Sequence, residues 1–315
     1  MNRSILVTGA TGFVGTAVAA RLAREPGTDV VAAVRAPERW AGPGRAVVYD
    51  LVAQALPDLT GIDAVIHCAA RVHVMTDTAQ DPLEAYRAAN AEATARLAAH
   101  AAACGVRRFV FISTIKVNGE TTQGRGPFTA QDTPAPQDPY AQSKLEAEQA
   151  LMSLSTQSGM GVVIIRPPLV YGPGVKANFR ALMKALDRGW PLPFGALANR
   201  RSMIAVDNLA DLAVHSTGAT KQGVFLARDS EQPTTSELMK ALASALGREP
   251  KLVPVPASWL RIAGTLIRKQ AIVGRLTDPL EVDLQHTCAQ LEWRPPVPMA
   301  EVLHQTAHAY HKEPK

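Results

Sequence analysis

The sequence predicts an α/β fold, a doubly wound parallel sheet with a smaller C-terminal lobe interwoven with it. Short β-rich runs alternate with helical stretches through the first half of the chain, and the first run ends in Gly9, Gly12 and Gly15. After position 166, proline and glycine break the regular pattern, which places irregular loops beyond the strand ends. At 315 residues the chain can bury a large core.

The elements follow in order. An apolar strand over residues 5–7 runs into the three glycines, where the absence of Cβ atoms permits a tight turn and close approach to an anion. A helix over 15–24 then begins with its free N–H groups facing that anion, the arrangement that holds a pyrophosphate. Further strands are expected over 30–34, 46–49, 64–67, 109–113 and 162–166, with helices over 83–104 and 140–157 between them. The alanine-rich stretch 85–103 allows close packing. Beyond Arg166, Pro167-Pro168, Gly172-Pro173-Gly174 and Pro191-Leu192-Pro193 interrupt the pattern, and helices return over 179–188, 207–217, 235–246 and 258–269. This divides the chain into a dinucleotide-binding domain over 1–166, with returning segments near 200–227, and a substrate-binding lobe over 167–199 and 228–315.

Composition narrows the function. The 33 basic and 28 acidic residues give a net charge of +5, spread along the chain without a basic run interleaved with aromatics. A nucleic-acid partner is therefore disfavoured, while a mildly positive field suits an anionic substrate. Cys68, Cys104 and Cys288 are too few for a disulfide framework and have no metal-site spacing, so reduced thiols and a cytoplasmic location are expected. The eight histidines (His67, His73, His100, His215, His286, His304, His308 and His311) are scattered without acidic or cysteine partners, and no metal is expected. No secretory signal or membrane-spanning run is visible. The stretch 259–268 is amphipathic and could lie on a membrane, but its basic interruptions make a helix covering the core the simpler expectation.

The chemistry is carried by Tyr140 and Lys144, which four-residue spacing places on one helix face. There the ammonium, aided by a positive nicotinamide ring, is expected to lower the phenol's pKa towards neutrality, so that it can exchange a proton with a sugar hydroxyl. Together with the glycine turn, this pair points to a nicotinamide-dependent enzyme. A hydroxyl from Ser113-Thr114, at the end of an expected strand, could hydrogen-bond the reacting oxygen.

Over nearly its whole length the chain resembles the extended short-chain dehydrogenase/reductase family, and within it the nucleotide-sugar epimerases and reductases. The resemblance rests on residues 8–15, Asp50-Leu51, His67-Cys68-Ala69-Ala70, Asn90, Ser113-Thr114, Tyr140 with Lys144, Arg166-Pro167-Pro168, the run 201–210 and the closing 291–296. It implies a Rossmann-like fold and a catalytic triad of Thr114, Tyr140 and Lys144. It further implies a cofactor held by Gly9, Gly12, Phe13, Val14, Gly15, Asp50, Leu51, Ala69, Asn90, Tyr140, Lys144 and Pro167. Thr114 would also touch the UDP-sugar, with Asn178 and Arg201 on its diphosphate. A homodimer formed by the helices over 83–104 and 140–157 is also implied.

Two departures bear on the reaction. The second strand ends Ala33-Val34-Arg35 where the dinucleotide fingerprint has an acid for the ribose hydroxyls, and Arg35, with Arg39 nearby, could pair with a 2′-phosphate. This favours NADP(H), with NAD(H) the other possibility. The resembling 4,6-dehydratases follow the catalytic threonine with an Asp-Glu pair, whereas this chain has Ile115-Lys116, so dehydration is not expected. Lys116 and Asn118 resemble a subgroup acting on UDP-linked N-acetylated or 6-deoxy sugars in surface polysaccharide synthesis. The leading expectation is an NAD(P)H-dependent reductase of the 4-keto group of such a sugar. The alternatives are a UDP-hexose 4-epimerase using bound NAD and a non-catalytic dinucleotide sensor, the latter disfavoured because Thr114, Tyr140 and Lys144 are all present. Trp190 and Phe194 would border a uracil pocket or serve ordinary loop packing.

Overall fold

The computed structural model describes residues 3–72, 81–266 and 270–312, so His73 lies outside the described residues. Its centre is a seven-stranded parallel sheet. The strands are β1 (Arg3–Thr8), β2 (Thr28–Val34), β3 (Arg45–Val48), β4 (Ala64–His67), β5 (Arg108–Ile112), β6 (Gly161–Arg166) and β9 (Gly223–Leu226). They lie in the order β3-β2-β1-β4-β5-β6-β9, so the chain starts in the middle, winds to one edge and then reverses. That reversal, between β1 and β4, opens a crevice at the carboxyl ends of the strands. Two further strands, β7 (Leu169–Tyr171) and β8 (Met203–Ala205), pair with each other in parallel outside this sheet. β9 is only four residues long and begins at a glycine, so it does not stand out by periodicity, and it takes its place by docking on β6.

Alternation along the central strands feeds two cores. Ile5 and Val7 of β1, Val110 and Ile112 of β5, and Val163 and Ile165 of β6 point to one face. There they meet Val18, Ala19 and Leu22 of α1 (Phe13–Leu22) and Leu209, Leu212 and Ala213 of α6 (Val206–Ser216). Leu6, Phe109, Phe111, Val162 and Ile164 point to the other face, against Leu97, Ala98 and Ala101 of α3 (Ala93–Ala103) and Ala147 and Leu151 of α4 (Pro139–Ser158). Both faces being buried explains why these strands read as near-continuous apolar runs.

A third core joins Phe179, Met183 and Leu186 of α5 (Ala177–Asp187) to Leu238, Met239 and Leu242 of α7 (Thr235–Ala245). Val302 and Leu303 of α11 (Met299–Lys312) complete it, and Phe13 at the start of α1 packs against it.

Two elements differ from expectation. The single helix expected over 83–104 is instead α2 (Pro82–Tyr86), a six-residue π-helical segment Arg87–Glu92, and then α3. The wide turn carries Asn90 inward, where Nδ2 donates to Arg71 O and Ser143 Oγ and Oδ1 accepts from Arg71 N. The helix expected over 258–269 is α8 (Ala257–Leu266), with 267–269 outside the described residues. One side of α8 covers the third core through Ala257 and Leu260, while the helix buries only Gly264 fully and leaves Trp259, Ile262 and Leu266 exposed. Among the described residues no helix is long and apolar enough to cross a membrane.

Candidate active site

A cavity of about 920 Å³ lies at the carboxyl ends of β1, β2, β4 and β5. Its floor is the glycine turn. Gly9 has φ +64°, and a Cβ there would lie 2.8 Å from Ala69 N. A Cβ on Gly15 would lie 2.1 Å from Gly9 O, so only glycine lets the turn close. α1 starts directly after it, with no side chain capping its N-terminus and no acidic residue in its first turn. A bare helix start on a wall without Cβ atoms fits a dinucleotide diphosphate. Phe13, Val14, Arg35, Asp50, Leu51, Ala69 and Pro167 line the same cavity as Gly9, Gly12 and Gly15, and Arg35 is exposed at the end of β2.

The Ala69 side of the wall is held by a directed hydrogen-bond chain. Thr94 Oγ1 donates to Asn90 O at 2.6 Å, so it must accept from His67 Nε2, 3.0 Å away. His67 Nδ1 is then the acceptor for Thr8 Oγ1 at 2.7 Å, and Thr8 Oγ1 in turn accepts from Ala69 N at 3.2 Å. The chain fixes the neutral Nε2–H tautomer. Burial, with Lys144 nearby, lowers the imidazole's pKa to about 3.

Thr114, Tyr140 and Lys144 all line the cavity. α4 delivers the last two because Asp138 caps its start, accepting from Ala141 N at 2.7 Å, and Pro139 occupies its first turn. Thr114 Oγ1 accepts from Lys116 N at 3.3 Å, leaving the threonine proton for a ligand oxygen. Lys144 Nζ donates to Ile112 O at 2.7 Å and sits 3.9 Å from the centre of the Phe111 ring. Burial pulls its pKa down to about 7.

The expected lowering of the phenol's pKa calls on the nicotinamide ring as well as the ammonium, and the protein's other groups act in the opposite direction. Burial, with Asp138 and Tyr86, holds the Tyr140 pKa well above its ordinary value. Within the protein alone Tyr140 is therefore a proton donor, and Tyr86 meets its ring edge-on with centroids 6.0 Å apart. Of the Ser113-Thr114 pair, Ser113 borders the cavity but its Oγ donates to Glu148 Oε1 at 2.5 Å.

The family assignment follows from the match of residues 5–224 to the family described as NAD dependent epimerase/dehydratase. The chain belongs to this family. A relative at 44% identity, the UDP-glucose 4-epimerase of Vibrio cholerae, aligns over 98% of this chain and 96% of its own length. The UDP-glucose 4-epimerase of Mycolicibacterium smegmatis is 28% identical over 97% of each chain. In fold, the chain matches UDP-glucuronic acid 4-epimerase from Bacillus cereus, solved in complex with NAD, with a TM-score of 0.75 at 20% identity, covering 98% of this chain and 99% of that one. This NAD dependent epimerase/dehydratase family member is thus an enzyme of the extended short-chain dehydrogenase/reductase type.

Within this family member, three residues implied by resemblance stand off the cavity wall. Asn90 is buried behind it, bonded to Arg71 and Ser143. Asn178 is exposed in the first turn of α5. Arg201 Nη1 donates to Asp278 O at 2.6 Å, and burial lowers its pKa. Of the two loop aromatics, Phe194 joins the third core and Trp190 is exposed beside Arg188. The sequence reading did not single out Tyr86, Phe111 or Glu148, because their importance arises only from what the fold sets beside them. Among the described residues no cluster of three or more potential metal ligands occurs.

Proposed function

We propose that this family member inverts C4 of a UDP-hexose, using NAD kept bound through turnover. The observation that carries this reading is full-length similarity to a UDP-glucose 4-epimerase at 44% identity, in a chain whose cavity is lined by Thr114, Tyr140 and Lys144 together. It favours the epimerase over the reductase expected first. Bound NAD would supply a two-electron acceptor for the hydride on the sugar C4 and, once reduced, the donor for its return.

The chain's own residues would do the rest. Gly9, Gly12, Phe13, Val14 and Gly15 would hold the diphosphate, Asp50 and Leu51 the adenine end, and Lys144 the nicotinamide ribose. Tyr140 Oη would exchange the C4 hydroxyl proton, with Thr114 Oγ1 bonded to the same oxygen. The protein's own surroundings raise the phenol's pKa, and the positive charges of Lys144 and of an oxidised cofactor would favour the deprotonating step. Dehydration finds no support, since Lys116 stands where an acid would be needed and is held by Glu120 at 2.8 Å and Asp138 at 2.6 Å.

A second reading rests on Arg35, exposed on the cavity wall where a 2′-phosphate could pair with it, and makes the enzyme an NADPH-consuming reductase of a UDP-4-keto sugar. Residues 1–166 with 200–227 would hold the dinucleotide and the remainder the UDP-sugar, Asn178 and Arg201 reaching the substrate diphosphate. α3 and α4 would pair across a homodimer.

The deciding experiment incubates the protein with UDP-glucose, UDP-N-acetylglucosamine or a UDP-4-keto-6-deoxyhexosamine and resolves products by NMR and mass. Inversion at C4 with no change in mass is expected. Gain of two hydrogens by the ketone at the expense of NADPH, with no inversion of the hexoses, would replace the epimerase with the reductase.

A further inference from the structure

We propose that α8 is an interfacial helix that seats this enzyme on an anionic lipid surface. Trp259, Ile262 and Leu266 are 69%, 62% and 79% exposed, and their spacing of three and four residues puts them in one stripe. The orientation of that stripe is imposed by the other side of the helix. Leu260 packs against the third core, and a Cβ on Gly264 would lie 2.7 Å from Val273 Cγ2. Gly264 thus lets α9 (Gln270–Thr277) approach closely and leaves the bulky residues facing away. Two more exposed apolar residues adjoin the helix through the backbone. Leu192 N donates to Lys251 O at 2.9 Å and Val253 N to Leu192 O at 2.8 Å, tying the Trp190 loop to the segment that leads into α8. Trp190 is 55% and Val253 45% exposed.

Charge selects the occupant. From position 250 to 277 the sequence carries five basic residues and no acidic one. Lys251, Arg261 and Arg275 are exposed, and Arg261 stays so while meeting Asp278 at 2.8 Å. A tryptophan and branched aliphatics flanked by cations is the pattern of a helix lying at the headgroup level of an acidic bilayer. A second copy fits less well, because a twofold contact would set this face against itself and bring like charges together.

The test uses the full chain with sucrose-loaded vesicles of phosphatidylcholine alone or with about 30 mol% phosphatidylglycerol, so that lipid charge is the only variable. Co-sedimentation with the acidic vesicles, a blue shift of tryptophan emission and several-fold weaker binding at about 0.5 M salt are expected, since added salt shortens the screening length. Ile262→Gln with Leu266→Gln should lower partitioning by roughly tenfold, because it removes the inserted apolar surface. Their thermal midpoint and sugar-nucleotide turnover should match wild type. Equal sedimentation with both vesicle types, none with either, or wild-type binding by the double variant would each overturn the proposal. So would a lipid-independent rise in mass with concentration that the same substitutions abolish, which would assign the face to a second copy.

Discussion

Arg166 and Glu148 form a buried ion pair one helical turn beyond Lys144. Arg166 Nε lies 3.0 and 3.2 Å from the two carboxylate oxygens, and Nη2 lies 2.5 Å from Oε2. Ser113 Oγ donates to the same carboxylate, while Arg166 Nη1 donates to Asn118 Oδ1 at 2.9 Å. The pair joins the ends of β5 and β6 to α4, the elements that bring Thr114, Tyr140 and Lys144 to one cavity. Arg166→Met should cost about 3–5 kcal/mol, because it leaves a buried carboxylate without its partner. Arg166→Met combined with Glu148→Met should recover part of that loss. Urea unfolding of the three variants checks this, and a double variant no more stable than the single one would contradict it.

Tyr140→Phe removes only the acid/base hydroxyl and keeps the ring against Tyr86. Turnover should fall by about 10²–10⁴-fold, with NAD binding retained. Wild-type kcat in this variant would remove Tyr140 from the reaction.

Lys144 ties stability to pH in a defined direction. Its pKa in the folded protein is about 7 against 10.5 for the ordinary side chain. Below pH 7 both states bind the proton, and the cost of burying the charge is fully present. Between pH 7 and 10.5 the unfolded chain binds more protons than the folded one, so stability rises with pH. Wild type without added ligand should therefore gain stability over this window relative to Lys144→Met, seen as diverging denaturation midpoints. Parallel curves would show that the ammonium is not destabilised by burial.

Gly15→Ala should abolish the cofactor cradle, since the new Cβ would meet Gly9 O and must push backbone aside. A stability loss of about 1–3 kcal/mol is expected from this overpacking. The rise in thermal midpoint that NAD gives wild type should disappear, and a retained rise would mean that the diphosphate binds elsewhere.

Replacing Arg35 tests which dinucleotide is resident. If NAD is the resident dinucleotide, Arg35→Asp should leave NAD binding intact or improve it while weakening NADP, the latter by about 1–3 kcal/mol, the worth of a charge-assisted hydrogen bond. Wild type that binds NADPH more tightly than NADH in fluorescence titration would instead support the reductase.

Local chemistry made much of this protein legible in its sequence. Gly9, Gly12 and Gly15 announce a close approach of backbone to an anion, and the near-continuous apolar runs of the central strands announce a sheet buried on both faces. Tyr140 and Lys144 share a face by helical spacing alone, and Thr114 follows a strand that ends at the same edge. These features depend on residues a few positions apart, which is the range over which backbone geometry dictates orientation.

Only the tertiary structure decided what each face meets. At the π-helical turn, Asn90 bonds Arg71 and Ser143, and Ser113 bonds the Glu148 carboxylate that also pairs with Arg166, partners far away in sequence. The stripe of α8 points outward because Gly264 seats the opposite side on Val273, although the amphipathic pattern equally suits a helix covering the core. The surroundings of Tyr140, half-buried beside Tyr86 and Asp138, push its pKa up, whereas spacing alone reveals only Lys144. Periodicity specifies that a side is apolar or polar. Burial, and with it the titration of Tyr140 and Lys144, is set by segments distant in sequence.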